Sequence, residues 1–145
     1  MDEPSDLSTA RRHLARAEAG IETEEGLHHL QEGLGLLERV TEGPAAGKHG
    51  PVARNLGGTY AAKVHEHVQR QLASGRNLPE PALQHAFAVI RAFDGTCFDV
   101  PAGARDLKIE LVRRLIDIYY EGYSAAERQR AYEELAKATG VRSAT

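Results

Sequence analysis

The sequence contains one cysteine, one methionine, three phenylalanines and no tryptophan. A single thiol permits neither an internal disulfide nor a zinc site built on several thiolates, which favours a reducing, cytoplasmic setting. So few aromatic rings leave little surface on which nucleic-acid bases or sugars could stack. No apolar run approaches the roughly 20 residues that span a bilayer, and the acidic N-terminus lacks the apolar core of a secretory signal. We therefore expect a protein that does not bind a membrane.

The charge of the chain is nearly balanced. Its 145 residues include 18 basic and 21 acidic side chains, which gives a formal net charge of −3. No segment carries the excess of lysine and arginine that marks a nucleic-acid-binding surface. The apolar fraction of 41% is sufficient for the core of one compact domain. The composition therefore predicts a single domain with no nucleic-acid partner.

The spacing of the apolar residues predicts an all-α protein with six helices and no strand. In the second helix, for example, leucines recur at intervals of three and four residues from Leu27 to Leu37, which forms an amphipathic stripe. Thr23 is placed to cap that helix, and Ser124 with Glu127 fits a capping box at the start of the last one. The predicted helices lie near residues 9–19, 23–40, 51–73, 79–93, 104–123 and 124–140.

This pattern predicts a single helical domain over residues 9–140, with flexible termini at 1–8 and 141–145. Glycines and prolines cluster at 41–50, where we expect a mobile loop that Pro51 closes by opening the third helix. We expect three antiparallel hairpins, formed by helices 1–2, 3–4 and 5–6, in a repeat-like stack or an irregular bundle. The fifth helix is apolar over most of its circumference, which predicts a central position.

Two segments resemble the tetratricopeptide family of helical repeats. Residues 53–60 are similar to its first-helix Leu-Gly-x-x-Tyr signature, and residues 24–34 are similar to its second-helix pattern, with Gly26 and Gly33 at the small-residue positions. The resemblance covers about half the chain, and the third helix is too long for a repeat of that family. It implies a concave surface that binds a peptide or a partner protein. The glycines themselves predict close contact between helices.

The sequence offers one arrangement with metal-ligand spacing. Glu25-x-x-His28 matches the spacing found on one helix of a di-iron bundle, but such a site needs a second copy, and none occurs. We therefore expect no cofactor, no bound metal and no catalytic activity. A metal-dependent helical-bundle enzyme remains an alternative, and Glu25, His28 and His29 are then its candidate ligands.

A histidine phosphotransfer or other regulatory domain is the second alternative. Residues 28–33 resemble the His-x-Leu-Lys-Gly pattern of that family, but Gln31 stands where the lysine belongs and Gly33 comes one position late. A phosphohistidine would thus lack a stabilising cation. Cys97 has no histidine near it in the sequence, so we expect a buried or half-buried thiol rather than a nucleophile.

Tyrosines cluster at the end of the fifth helix. Tyrosine combines a large apolar body with a polar tip, which suits an interface. We expect an interaction surface that includes Tyr119, Tyr120 and Tyr123, together with Tyr60 of the third helix. The sequence therefore predicts a small adaptor or chaperone-like module that binds another polypeptide. It also predicts a homodimer with the tyrosines at or near the contact.

Overall fold

The computed structural model describes residues 4–44, 46–74 and 77–138. These residues form six α-helices and no strand, which confirms the predicted all-α class. Within the described ranges, no helix combines the length and the apolarity that crossing a bilayer requires. The helices are α1 (Ser5–Ala19), α2 (Glu24–Glu42), α3 (Ala46–Ala73), α4 (Glu80–Arg91), α5 (Ala104–Tyr119) and α6 (Ala125–Ala138).

The first helix begins earlier than the sequence predicted. Pro4 stands at its N-cap and Ser5 is its first residue, so residues 5–8 of the predicted flexible segment 1–8 are helical. Leu7 is almost completely buried, and its packing against the core holds this first turn in place. The remaining predictions for the termini, on residues 1–3, the end of the last helix near residue 140 and the tail 141–145, lie outside the described residues.

The predicted loop at 41–50 is wrong in extent. The second helix continues to Glu42 and α3 begins at Ala46, which leaves only residues 43–45 between them. Pro51 therefore lies inside α3 instead of opening it, where it removes one backbone hydrogen bond near the helix start. Gly50 is buried, and Thr41 Cα lies 4.0 Å from where its Cβ would stand. Close packing against α2 thus keeps this glycine-rich segment helical.

A close contact between α1 and α2 begins the core. Thr23 caps α2 as predicted, because its hydroxyl oxygen accepts a hydrogen bond from Gly26 N at 3.0 Å. A Cβ at Gly33 would lie 2.8 Å from Leu14 Cγ, and one at Gly26 would collide with the carbonyl oxygen of Gly20. Both glycines therefore permit the close approach that the sequence predicted. Since α1 and α2 join through a short turn, they form an antiparallel hairpin.

The third helix occupies the central position that the sequence assigned to α5. It packs against α1, α2, α4 and α5, whereas α5 contacts only α3, α4 and α6 among the described residues. The predicted pairing of helices is also only partly correct, since α3 packs more extensively on α2 than on α4, and α4 packs mainly on α5. The fifth helix ends at Tyr119, and in its last turn Ile116 is buried whereas Ile118 and Tyr119 are exposed.

The segment between α4 and α5 completes the core. Phe93 and Phe98 are buried there, and the Phe98 ring occupies the space where a Cβ at Gly57 would stand. The close approach to α3 at Gly57 thus comes from a loop phenylalanine. Cys97 next to it is exposed, 3.8 Å from the Thr41 hydroxyl, so the prediction of a buried or half-buried thiol is wrong. Phe98 fills the inward position, and its neighbour faces solvent.

Candidate functional site

An exposed apolar surface lies where α5 ends. Ile118, Tyr119 and Tyr123 are exposed by 36%, 51% and 51%, which is unusual for side chains of this size. Tyr120 is half-buried and packs edge-to-face on Tyr123, with ring centroids 5.1 Å apart. We call these four residues, Ile118, Tyr119, Tyr120 and Tyr123, the tyrosine surface. It combines aromatic and aliphatic area in one short segment.

The backbone around the tyrosine surface explains its position. The helix is capped at Tyr120, and Gly122 then takes a φ of 88°, a left-handed conformation that favours glycine. The next helix begins at Ala125 after Ser124, whose hydroxyl oxygen accepts a hydrogen bond from Glu127 N at 3.2 Å. The predicted N-cap by Ser124 is therefore confirmed, and the Glu127 carboxylate of the predicted capping box accepts a hydrogen bond from the Ser124 hydroxyl at 3.1 Å. This reversal places Tyr123 outside any helix and beside Tyr120.

Tyr119 is also part of the contact between α4 and α5. Its phenol donates a hydrogen bond to Glu80 Oε1 at 2.8 Å and accepts one from Gln84. The bond to Glu80 raises the pKa of the phenol above its ordinary value. The ring of Tyr119 is thus exposed while its hydroxyl is held by α4. Tyr119 presents a fixed face, which lowers the entropic cost of binding a partner.

The structure does not join Tyr60 to the other predicted tyrosines. Tyr60 is half-buried on α3, and the ammonium of Lys63 lies 5.0 Å from its ring centroid. Lys63 in turn donates a hydrogen bond to Glu18 of α1 at 2.9 Å, so this tyrosine belongs to the contact between α1 and α3. Tyr119, by contrast, bonds to α4. The tyrosine surface consequently excludes Tyr60 and includes Ile118, which the sequence reasoning had assigned only to the helix itself.

A second polar arrangement lies between α1 and α2. His13 Nδ1 and His29 Nδ1 are 2.9 Å apart, and their ring centroids are separated by 5.1 Å. His29 Nε2 lies 3.7 Å from Glu25 Oε1, and the ring of His28 is 5.7 Å from that of His29. Burial and then the neighbouring His29 lower the pKa of His13. The lowered pKa favours the neutral form of His13, whose ring is joined to that of His29 by one hydrogen bond.

The three candidate ligands do not form a complete metal site. Among the described residues, no group of three or more histidine, cysteine or acidic side chains has an arrangement that holds a metal ion. Glu25 and His29 are neighbours, as one turn of helix requires, while His28 faces solvent. His13 is the residue that sequence reasoning missed. An antiparallel hairpin brings together residues that are equally far along the chain from its turn. His13 and His29 are about equally far from the predicted turn at Gly20–Thr23, so that turn could have indicated the pair.

One further histidine, His65, is buried and belongs neither to the tyrosine surface nor to the His13–His29 pair. His65 of α3 is only 2% exposed, and its Nδ1 lies 2.6 Å from the carbonyl oxygen of Ala61. Its ring also packs against Phe93, with centroids 5.9 Å apart. Burial lowers the pKa of His65. Since its nitrogen is satisfied within its own helix, His65 serves the core.

Comparisons with protein-family models, with curated proteins and with solved structures find no match to this chain.

Proposed function

We propose that this protein is a small interaction module of the cytoplasm that binds another polypeptide through the tyrosine surface. The observation that supports the proposal is the exposure of Ile118, Tyr119 and Tyr123 within one short segment. Large apolar side chains that cluster at a surface mark an interaction site in soluble proteins. Tyrosine is moreover enriched among the residues that dominate binding energy.

The rest of the α5–α6 region agrees with this role. The last helix contacts only α5 within the described part of the chain, and its first residues are exposed. A hydrogen bond from Tyr132 to Asp117, and the guanidinium of Arg128 at 3.8 Å from the same carboxylate, join α6 to α5. The two helices thus form an edge of the fold. A partner can pack against that edge without entering the core.

Carboxylates border the tyrosine surface. Glu80 bonds to Tyr119, and Glu121 is exposed beside Tyr120. Asp117, one residue before Ile118, does not contribute to this border, because its carboxylate is already paired with Arg128 and Tyr132 of α6. A partner segment that combines apolar anchors with lysine or arginine would match both the apolar centre and the acidic border. The adaptor therefore recognises an amphipathic, basic segment.

The test compares two matched pairs of substitutions. Ile118→Ser with Tyr123→Ser alters the tyrosine surface, and Val52→Ser with Val100→Ser alters two other exposed apolar positions. All four side chains are exposed, so we expect the far-UV circular dichroism and the melting temperature to change little. Each purified protein is used to capture partners from a native lysate, which mass spectrometry identifies, and the interaction is then measured with the purified partner.

The proposal expects a partner that binds the unaltered chain and the Val52/Val100 control but not the Ile118/Tyr123 variant. Equal binding by both variants, or no reproducible partner, would contradict it. The predicted homodimer is measured with the same proteins by size exclusion with light scattering at tens of micromolar. A dimeric mass that only the Ile118/Tyr123 variant loses would make a second copy the partner of this surface. A strictly monomeric mass would contradict the homodimer.

A further inference from the structure

We propose that the hydrogen bond between His13 and His29 is an acid-sensitive lock between α1 and α2, which opens when both imidazoles are protonated. The lock goes beyond the proposed function, because it lies in the α1–α2 hairpin and involves none of the tyrosine surface. The two Nδ1 atoms are 2.9 Å apart, the distance of a hydrogen bond in which one ring donates and the other accepts. Both side chains are half-buried, so water screens this bond only in part.

A neighbouring carboxylate indicates which of the two rings donates the proton. Glu25 Oε1 lies 3.7 Å from His29 Nε2, which favours the tautomer of His29 that carries its proton on Nε2. His29 Nδ1 then holds a lone pair, and His13 donates its Nδ1–H to that atom. The Nε2 atom of His13 consequently has a lone pair of its own, outside the bond.

The two rings respond differently to acid. His13 takes up a proton on Nε2 while its Nδ1–H still donates, so this step keeps the hydrogen bond and adds positive charge to its donor. His29 takes up a proton only on Nδ1, the atom that accepts the bond. The second proton therefore breaks the bond and leaves two N–H groups of like charge facing each other. The pair as a whole holds one added proton in the closed hairpin and two in the open one.

The charges that act on the pair come from α1 and α2. Burial, followed by the charge of His29, lowers the pKa of His13, and Glu32 of α2 opposes that change. Arg16 of α1 and His28 of α2 lower the pKa of His13 further. The one carboxylate that favours a cation at His13 is thus outweighed, which makes a second positive charge in the closed hairpin still less favourable.

The third and fourth helices contact a different part of the hairpin. Among the described residues, the ionisable groups that they bring to it are Lys63 with Glu18, His67 with Glu22, and His85 with the carbonyl oxygen of Ile21. All three contacts lie more than one helical turn beyond His13, at the end of α1 or in the turn that follows it. The charge at the pair is therefore set by α1 and α2 themselves.

The different proton capacity of the closed and open hairpin makes the lock depend on pH. The two histidines of an unfolded chain each take up a proton at about pH 6.5, whereas the closed pair holds one. Below that pH the unfolded chain binds one more proton than the folded chain does, so the unfolding constant rises by up to about tenfold per pH unit as the pH falls. The first helix packs mainly on α2, so the opening should begin with the release of α1.

The experiment measures urea unfolding of the full chain at pH 7.5 and pH 5.0 for the unaltered protein, His13→Gln and His29→Gln. A glutamine amide donates to a neutral imidazole and, after rotation, accepts from a protonated one, so each variant keeps a bond between the helices without the limit of one proton. His28→Gln is the matched control, because it removes an exposed imidazole 5.7 Å from the ring of His29. The contribution of His65 is present in all four proteins and cancels.

Hydrogen exchange followed by mass spectrometry shows where the protein opens at each pH. The exchange rates are corrected for the intrinsic effect of pH on amide exchange, and the amides of α1 are compared with those of α3. Far-UV circular dichroism at pH 7.5 checks that every variant is folded.

We expect the unfolding constant of the unaltered protein and of His28→Gln to rise about tenfold more between pH 7.5 and pH 5.0 than that of His13→Gln or His29→Gln. At pH 5.0 the amides of α1 should lose protection relative to those of α3 in the first two proteins and keep it in the two pair variants. An equal rise of the unfolding constant in the unaltered protein and in His13→Gln would overturn the proposal. So would a smaller rise in His28→Gln alone, or protection of α1 that does not change with pH in the unaltered protein.

Discussion

Replacing Gly26 by alanine is the sharpest test of the α1–α2 contact. A Cβ at this position would overlap the carbonyl group of Gly20 and approach Ile21 N to 3.2 Å. These are backbone atoms, so no rotation of a side chain can make room. The turn between α1 and α2 must move away, and the hydrogen bond from Gly26 N to Thr23 Oγ1 is then lost.

The magnitude follows from three contributions. Overpacking of this kind costs about 1–3 kcal/mol, and the loss of an N-cap costs about 1 kcal/mol. The higher helix propensity of alanine offsets up to about 1 kcal/mol. We therefore expect Gly26→Ala to lower the free energy of unfolding by about 2 kcal/mol. For a chain of this size, that lowers the melting temperature by about 6 °C.

Gly35→Ala is the matched control in the same helix. Nothing lies within 4 Å of the Cβ that this substitution adds, so only helix propensity remains, and it should raise stability by about 0.5–1 kcal/mol. Urea unfolding followed by far-UV circular dichroism measures both variants against the unaltered protein. The reasoning is refuted when Gly26→Ala is as stable as the unaltered protein, or when Gly35→Ala is the less stable of the two.

Three further predictions use the same unfolding assay. Phe98→Ala should destabilise the protein by about 3–5 kcal/mol. Gly57→Ala should cost less stability in the Phe98→Ala variant than in the unaltered protein, because the Phe98 ring is the obstacle to the added Cβ. Equal costs of Gly57→Ala in the two proteins would contradict this. Leu111→Ala should cost about 2–5 kcal/mol, whereas the exposed Val100→Ala should change stability by less than about 0.5 kcal/mol. The pKa of His65 is lowered in the folded protein, so the unfolded chain takes up this proton at a higher pH than the folded chain does. The free energy of unfolding should therefore fall as the pH decreases below 6.5. A constant free energy of unfolding between pH 7.5 and 5.5 would contradict this.

The sequence predicted the class of the fold and several local features because these depend on neighbouring residues. Thr23 and Ser124 cap their helices through bonds to residues only three positions later. The boundaries at 1–8 and 41–50 were wrong because tertiary packing decides them. Leu7 holds an early turn of α1 against the core, and Gly50 lies against α2. Glycine and proline content alone indicates a loop, and packing overrode that preference.

The candidate sites show the same division between local and tertiary information. The clustering of tyrosines at the end of α5 was visible in the sequence, but the bond that fixes Tyr119 to Glu80 joins residues of two helices. The sequence predicted no metal and offered Glu25, His28 and His29 of one helix only as the ligands of an alternative. It missed His13, whose partner His29 is brought near only by the register of the α1–α2 hairpin. The register of α1 against α2 follows from where the turn between them begins and ends. The sequence predicted both positions, the end of the first helix near residue 19 and the start of the second near residue 23.

The His13–His29 pair and the tyrosine surface are expected to act independently. Within the described residues, neither α1 nor α2 contacts α5 or α6, so the histidine pair and the tyrosine surface share no helix–helix contact. Coupling between two sites requires that binding at one changes the other, and distant positions without shared partners usually behave additively. His13→Gln should therefore bind the polypeptide partner as tightly as the unaltered protein does. A tenfold change in that affinity would show that α3 or α4, which contact both halves of the molecule, transmit the change from the histidine pair to the tyrosine surface.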